Sequence, residues 1–180
     1  MRKLIVTEFV SLDGVMENPA WTAPYWNDEI AAFKGEETAG SDALLLGRVT
    51  YEGFAAAWPD RNDKGADYFN GVRKYVVSTT LDDAAATWNN SQIISNNVVA
   101  EVKKLKEQDG QDITVHGSGL LVQTLVEHGL VDRFHLLVYP VVVGEGKRLF
   151  KDGTTAKLKL VEAKPFSSGA TALIYEPDLG

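Results

Sequence analysis

The chain has 180 residues, which suits one domain with a sizeable buried core. It is 44% hydrophobic and 24% charged, proportions typical of a soluble globular protein. Its net charge of -7 argues against a nucleic-acid partner, because proteins that bind phosphate backbones usually present a basic face. The lack of cysteine excludes disulfides, thiolate metal sites and cysteine nucleophiles.

No apolar run approaches the ~20 residues that a membrane helix needs. The first apolar stretch follows Arg2 and Lys3 and is broken by Glu8, so no signal peptide is visible. We therefore expect a cytoplasmic protein with no membrane partner.

Strand and helix signals alternate along the first half of the chain, which predicts an α/β fold. In order, the patterns predict a strand, a helix, a buried strand, a helix and a strand at 3–10, 27–37, 43–46, 50–57 and 74–79. The polar segment 59–72 is predicted to be the one long loop.

The second half continues the alternation with a surface helix between 97 and 108, a strand at 113–116 and a helix at 119–128 that is capped by Gly129. A long strand is predicted at 132–143, bent or bulged near Pro140. Segments 158–163 and 171–176 are predicted to form an antiparallel pair closed around 167–169.

The junction after the buried strand 43–46 has the residue types of a phosphate site. Gly47 lets a ligand approach the backbone, Arg48 offers a bidentate cation, and Thr50 adds a hydroxyl where a helix begins. A plain turn with a helix cap is the alternative interpretation.

A second glycine-rich junction, His116-Gly117-Ser118-Gly119, also joins a strand to a helix, where open α/β sheets bind ligands. It is not a complete dinucleotide fingerprint, because Val122 stands in the place of the third glycine. It is not a hydrolase elbow either, since position 116 is not glycine. The pattern indicates a cradle for a pyrophosphate or, alternatively, a tight turn that packs the helix on the strand.

Several segments together resemble the dihydrofolate reductase-like superfamily. They are Ser11-Leu12-Asp13-Gly14, Leu46 to Tyr51, Tyr75 to Thr80, Gly117-Ser118-Gly119, and Gly129 to Asp132 followed by Pro140 to Gly146. Within it, the chain resembles stand-alone proteins similar to the reductase domain of riboflavin biosynthesis. The resemblance implies one domain, 1–180, with a three-layer α/β/α architecture: a mostly parallel central sheet with a C-terminal antiparallel hairpin.

The resemblance also implies that NADPH lies across the C-terminal edge of the sheet. The matching phosphate-binding residues are Gly47, Arg48 and Thr50, and those facing the adenosine ribose and its 2′-phosphate are Ser78, Thr79 and Thr80. The pyrophosphate-to-nicotinamide segment corresponds to Gly117, Ser118, Gly119 and Leu120. By the same resemblance, the Gly117–Ser118 peptide is expected to be cis. A hydroxyl-rich turn is the alternative for Ser78 to Thr80.

Aromatic residues are concentrated between positions 21 and 69, which suits a flat heterocyclic substrate but also an ordinary core. The candidates for the substrate site are Trp21, Tyr25, Phe33, Tyr51 and Phe54. By resemblance, Glu29 matches the carboxylate that holds the pterin, and Asp13 borders the reacting ring. Their alternatives are an acid in the first turn of a helix and an Asp-Gly turn.

His116 departs from the riboflavin-type proteins, which usually carry an acid at this position. An imidazole there could donate a proton to the ring that is reduced, or it could simply end a strand. The ligands of the accompanying zinc deaminase are absent, and His128 and His135 lack metal-ligand spacing, so we expect no metal.

The resulting hypothesis is an NADPH-dependent reductase of a small heterocycle, similar to 5-amino-6-(5-phosphoribosylamino)uracil reductase, with a proton from His116, Asp13 or solvent. Dihydrofolate reductase and a non-catalytic NADPH-binding protein are the alternatives, since a fold does not fix a function. A homodimer is also expected, with sheets paired through the strand 134–143 and the C-terminal hairpin.

Overall fold

In the computed structural model, which describes residues 1–180, eight strands form one sheet in the order β4-β3-β2-β5-β1-β6-β8-β7. Strands β1 to β8 span Leu4–Ser11, Ser41–Gly47, Arg73–Val77, Ser91–Ile94, Asp112–His116, Arg133–Tyr139, Leu158–Pro165 and Thr171–Pro177. The first six strands in this spatial order are parallel, and β8 and β7 add an antiparallel hairpin beside β6. The predicted mostly parallel sheet with a C-terminal hairpin is confirmed.

Helices cover both faces of the sheet. Helices α1 to α5 span Asp28–Ala39, Arg48–Ala57, Lys64–Gly71, Val98–Glu107 and Gly119–Glu127, and a 3-10 helix spans Pro19–Tyr25. Strand β2 shows the two faces: Ala43 and Leu45 pack in the cluster that contains α4 and α5, whereas Leu44 and Leu46 pack in the cluster that contains α2 and α3. Because side chains alternate along a strand, this separation gives the expected α/β/α layers.

Helix α1 lies on the same face as α2 and α3 but over different strands. Its Ile30 and Phe33 pack on Leu137 and Tyr139 of β6, whereas α2 and α3 pack over β2 and β3. Between them, β5 and β1 carry polar side chains on this face, of which Thr7 and Thr114 are buried and His116 is partly buried. The gap between the helices positions the site described below.

Three sequence predictions need correction. Residues 59–72 are not all loop, because Asp63 accepts hydrogen bonds from the N–H groups of Gly65 and Ala66 and begins α3. The strand predicted at 132–143 ends at Tyr139, since Pro140 has no N–H with which to continue the ladder. The short edge strand β4 and the 3-10 helix were not predicted. No helix in the structure is long and apolar enough to cross a bilayer.

The strands end at different heights along the C-terminal edge. Thr7 of β1 pairs with His116, the last residue of β5, and β1 then continues to Ser11 beside β6 alone. The β5 side of β1 therefore loses its partner strand after Thr7.

Candidate active site

The loops that follow β2 and β5 are joined by hydrogen bonds at the C-terminal edge of the sheet. The Gly47 N–H donates to Ser118 Oγ at 2.9 Å, and the Ser118 N–H donates to Thr50 Oγ1 at 2.9 Å. The Ser118 hydroxyl in turn donates to the His116 carbonyl at 2.9 Å. We call Gly47, Thr50, Gly117 and Ser118 the glycine seam, because these two loops form one continuous surface.

Gly117 is required by the seam. Its φ is +54°, and a Cβ atom there would lie 2.8 Å from Thr50 Oγ1. Ser118 also has a positive φ, +61°. The prediction of a cis Gly117–Ser118 peptide is wrong: the structure has no cis peptide bond, and two consecutive left-handed residues make the turn instead.

Two helix N-termini meet at the seam without a side-chain cap. Helix α2 begins after Gly47 and α5 begins after Ser118, and neither preceding residue caps the helix with its side chain. Their first N–H groups therefore remain available to an anion. The half-exposed Arg48 is the first residue of α2, and its guanidinium pairs with Glu52, one turn along the same helix, at 3.0 Å. The residues present thus fit a pyrophosphate.

Of the three hydroxyl side chains in the turn after β3, one is buried and two are exposed. Ser78 is buried, and its Oγ accepts hydrogen bonds from the N–H groups of Thr80 at 3.1 Å and Leu81 at 2.9 Å. Thr79 and Thr80 are exposed beside the end of β2. Ser78 therefore shapes the turn, its Oγ lies 3.4 Å from Thr80 Oγ1, and both threonine side chains reach the surface.

Large apolar side chains remain exposed along this edge of the sheet. They follow the ends of β1, β2, β5 and β6 and are Leu12, Val49, Leu120 and Val142, with exposed fractions of 66%, 73%, 76% and 70%. Apolar surface gathered around hydrogen-bonding groups is typical of a binding site.

Aromatic side chains gather beside the seam, on the face of the sheet that α1 and α2 cover, and we call the surface between them the aromatic cleft. Phe9 and the half-exposed Trp26, in edge contact at 6.3 Å, line one side. Phe54 and Phe69 line the other side, with ring centroids 6.0 and 5.6 Å from that of His116. The partly buried His116 forms the floor, and its ring makes no hydrogen bond within the protein. An aromatic cleft of this kind suits a flat ring.

A polar cluster of Thr7, Lys34, Glu37 and His135 lies under α1 next to this floor. Lys34 Nζ donates to Thr7 Oγ1 at 2.8 Å and forms an ion pair with Glu37. Glu37 also accepts hydrogen bonds from the Thr7 hydroxyl at 3.0 Å and lies 2.6 Å from His135 Nδ1. The side chains of Lys34 and Glu37 are only 15% and 5% exposed. This is a buried ion pair embedded in a hydrogen-bond network.

The cluster sets the protonation states around the cleft. Burial alone would raise the pKa of Glu37, but Lys34 and His135 outweigh it and lower the pKa to about 2. Burial and the positive charge of Lys34 lower the pKa of His116 to about 3, although the charge of Glu37 acts in the opposite direction. At neutral pH Glu37 is therefore ionised and His116 is a neutral imidazole.

Glu8 is a further buried acid beside the seam. It is 5% exposed, and its Oε1 atom has no hydrogen-bond partner. Burial raises its pKa well above the ordinary value, although the charge of Lys34 and the Gly117 N–H lower it. Burial thus favours the protonated form of Glu8, at the point where β1 extends past β5.

Asp13 joins two loops. Its carboxylate accepts hydrogen bonds from the Ser11 hydroxyl at 2.6 Å and from the N–H groups of Val143 and Gly144 at 3.1 and 2.8 Å. These bonds lower its pKa to about 2, so it holds no proton near neutral pH. Asp13 therefore holds the loop that follows β1 against the loop that follows β6.

Glu29 lies away from the seam. It accepts hydrogen bonds from the N–H and hydroxyl of Ser167, in the turn between β7 and β8, and the Ser167 hydroxyl and N–H lower its pKa. The structure therefore places Glu29 where it joins the N-terminus of α1 to the C-terminal hairpin.

All five aromatic substrate candidates pack in or against hydrophobic clusters. Phe33 and Tyr51 are buried, and Trp21 and Tyr25 contact Tyr139 edge-on at 5.8 and 6.0 Å. Phe54 alone among the five contacts His116. No group of three or more His, Cys, Asp or Glu side chains is placed to hold a metal ion.

Sequence reasoning did not identify the polar cluster or Glu8 as parts of the site. Thr7 and Glu8 lie within an otherwise apolar strand, and a polar pair there is a signal that could have been used. Lys34 and Glu37 follow the i, i+3 spacing of an ordinary helix-surface pair, so only the packing of α1 shows that they are buried.

Comparison with known proteins agrees with this geometry. Residues 2–172 match the family described as the RibD C-terminal domain. The uncharacterized protein YyaP of Bacillus subtilis (strain 168) is 31% identical over 180 residues, which cover 97% of this chain and 94% of YyaP.

Two solved structures share the fold. A putative riboflavin biosynthesis protein from Shewanella sp. PV-4 has a TM-score of 0.73 and 17% identity, with 98% of this chain and 99% of that chain covered. A dihydrofolate reductase from Enterococcus faecalis, complexed with NADP(H), has a TM-score of 0.67 and 14% identity, with 98% and 96% covered. The fold is therefore dihydrofolate reductase-like, and by its sequence the chain belongs to the family of RibD C-terminal domains.

Proposed function

We propose that this protein is an NADPH-dependent reductase of a small heterocyclic substrate, similar to 5-amino-6-(5-phosphoribosylamino)uracil reductase. One observation carries the proposal: two uncapped helix N-termini meet at the glycine seam directly beside an aromatic cleft. The free N–H groups at the helix starts suit the phosphates of a dinucleotide cofactor, and the aromatic side chains suit a flat ring that accepts the hydride.

The chain's own groups supply the cofactor contacts. The N–H groups at the starts of α2 and α5 and the guanidinium of Arg48 are suited to the pyrophosphate, and Thr79 and Thr80 to the 2′-phosphate. Gly117 keeps the seam open, because any side chain there would meet Thr50. Bound NADPH supplies the hydride.

The cleft supplies orientation. Phe54 contacts His116 and Trp26 contacts Phe9 of β1, so a flat ring in the aromatic cleft would be bordered by these side chains. Holding the two reactants in one geometry is the main contribution that hydride transfer requires of a protein. As a neutral imidazole, His116 can donate or accept a hydrogen bond but carries no extra proton at neutral pH.

Binding is tested by thermal-shift titration with NADPH and, in parallel, with NADH. Saturable stabilisation that is larger with NADPH is expected, because a ligand that binds only the native state raises the melting temperature. Oxidation of NADPH is then followed with 5-amino-6-(5-phosphoribosylamino)uracil and with dihydrofolate. Stabilisation without oxidation of NADPH by either compound would favour a non-catalytic binding protein, and no stabilisation at millimolar cofactor would contradict the proposal.

We also propose a homodimer formed through the C-terminal hairpin. Strand β6 lies between β1 and β8, so both of its edges are already paired, whereas β7 is an edge strand with Leu160 and Val161 about half exposed. Light scattering of the purified protein and of Val161→Glu tests this: a dimer that the substitution dissociates is expected, and a wild-type monomer would contradict it.

A further inference from the structure

Met16 is the one oxidisable sulfur at the glycine seam. The chain has two methionines and no cysteine, and the other methionine, Met1, is 95% exposed at the N-terminus. Met16 lies in the loop that follows β1, at the C-terminal edge of the sheet, and its N–H donates to the Lys147 carbonyl at 2.9 Å. This backbone contact fixes the position of Met16 within the loop.

The thioether of Met16 lies against the start of α5. A Cβ atom at Gly119, the first residue of this helix, would be 3.1 Å from Met16 Sδ and 3.7 Å from Met16 Cε. Ser118 does not cap α5 with its side chain. The sulfur therefore lies at the same helix start whose free N–H groups are available to a pyrophosphate.

This side chain lies between the core and the surface. Met16 packs against the apolar cluster formed by β1, β5 and α5, yet it is only partly buried. Gly119 is also partly exposed, and Leu120 beside it is 76% exposed. Exposure opens a sulfur side chain to small oxidants, so Met16 combines access from solvent with contact to the seam.

Oxidation of a thioether by a hydroperoxide is a two-electron step. A lone pair of the sulfur attacks one peroxide oxygen, the S–O bond forms as the O–O bond breaks, and the proton of the transferred oxygen passes to the departing oxygen. The products are methionine sulfoxide and an alcohol, or water when the oxidant is hydrogen peroxide. The sulfoxide is polar and accepts hydrogen bonds, whereas the thioether is apolar and a weak acceptor.

We propose that Met16 is a site of reversible oxidation by hydroperoxides, and that its sulfoxide lowers the affinity of the glycine seam for NADPH. The added oxygen competes with the pyrophosphate for the N–H groups at the start of α5. Methionine sulfoxide reductases reverse the step and restore the thioether. This inference rests on the proposed function, since it assigns the seam to the cofactor.

Treatment of the purified protein with hydrogen peroxide tests the assignment. Peptide mass spectrometry measures the oxidised fractions of Met16 and Met1, and calorimetric titration measures the affinity for NADPH after the peroxide is removed. We expect about tenfold weaker binding when Met16 is oxidised, the effect of losing one hydrogen bond to a charged group. Unchanged affinity with Met16 oxidised, or an unoxidised Met16 when Met1 is fully oxidised, would overturn the proposal.

Met16→Leu separates oxidation of this residue from damage elsewhere. Leucine keeps an apolar side chain of similar volume but has no sulfur, so the affinity of this variant for NADPH should be the same before and after peroxide. A loss as large as that of the wild type would overturn the proposal. If the variant does not fold, the time course in the wild type replaces it, and a loss of affinity that follows oxidation of Met1 rather than Met16 would overturn the proposal.

Reduction of the sulfoxide gives a second test in the wild type. The oxidised protein is treated with both methionine sulfoxide reductases, one for each epimer of the sulfoxide. Recovery of the original affinity is expected as Met16 returns to the thioether. Affinity that stays low after Met16 has been reduced again would overturn the proposal.

Cofactor binding by the reduced protein distinguishes failure of this inference from failure of the proposed function. NADPH binding that does not change when Met16 is oxidised overturns only the role of Met16. A reduced protein that binds no NADPH contradicts the reductase and this inference together. Saturating NADP⁺ should also slow the oxidation of Met16 but not that of Met1, because a bound cofactor covers the start of α5, and equal rates would overturn the placement of Met16 at the cofactor site.

Discussion

The glycine seam and the polar cluster lie next to each other but are built in different ways. The seam is made of backbone: its ligand-facing groups are N–H donors at two helix starts, and its shape depends on Gly117. The cluster is made of side chains from β1, α1 and β6, which come together only when α1 packs on the sheet. A backbone site tolerates different side chains, whereas a cluster depends on every member.

The largest effect is expected from breaking the cluster. Glu37→Ala leaves the buried Lys34 without a counter-charge, which typically costs about 3–5 kcal/mol of unfolding free energy. Urea unfolding measures the loss, and Glu36→Ala, on the exposed side of the same helix, is the control with almost no effect. A loss for Glu37→Ala no larger than that of the control would show that the ion pair is not buried in solution.

Acid should lower the free energy of unfolding, because it protonates groups of the cluster and the cleft floor. The pKa of Glu37 is about 2 in the folded protein against 4.5 in the unfolded chain, so it stabilises the fold above pH 4.5 and loses this contribution as the pH falls from 4.5 to 2. The shift corresponds to about 3 kcal/mol. His116 adds a loss of the same sign between pH 6.5 and 3, because the unfolded chain takes up the proton first.

Urea unfolding of wild type and Glu37→Gln across this pH range isolates the contribution of Glu37. The variant should be less stable than wild type at pH 6 and should lose less stability below pH 4.5. Parallel curves for the two proteins would contradict the lowered pKa of Glu37.

A single methyl group added at the seam should lower the stability of the protein. Gly117→Ala adds a Cβ atom 2.8 Å from Thr50 Oγ1 at a positive φ, and we expect a loss of about 2–3 kcal/mol in unfolding free energy. Gly129→Ala is the matched control, since it has a φ of +61° but nothing within 4 Å, and should cost about 1–2 kcal/mol. Equal losses would mean that contact with Thr50 does not shape the seam.

A smaller effect is expected at the surface of the seam. Arg48→Ala should weaken NADPH and NADH about equally, by about tenfold, because it removes one charge-assisted contact to the pyrophosphate that both cofactors carry. Calorimetric titration measures both affinities, and Glu52→Gln, which frees Arg48 from its partner, should not weaken NADPH. Unchanged affinity for both cofactors would argue against Arg48 as a ligand of the pyrophosphate.

The difference between the two regions explains how much could be predicted from the sequence. Glycines at strand-to-helix junctions appear in the sequence as local patterns, so the two loops of the seam and the alternation of strands and helices were predicted correctly. Lys34, Glu37 and His135 have no local pattern, because their meeting depends on how α1 docks. The cis peptide was predicted wrongly for a related reason: a resemblance transfers the order of residues but not their backbone angles.

The central claim is that the glycine seam binds NADPH and that the polar cluster does not. It is tested most directly by calorimetric titration of NADPH into wild type, Gly117→Ala, Gly129→Ala and the double variant Lys34→Met/Glu37→Gln, which removes both charges of the cluster's ion pair. We expect saturable binding in wild type, in Gly129→Ala and in the double variant, and at least tenfold weaker binding in Gly117→Ala, about 1.4 kcal/mol. Unchanged binding in Gly117→Ala, or its loss in the double variant alone, would contradict the account.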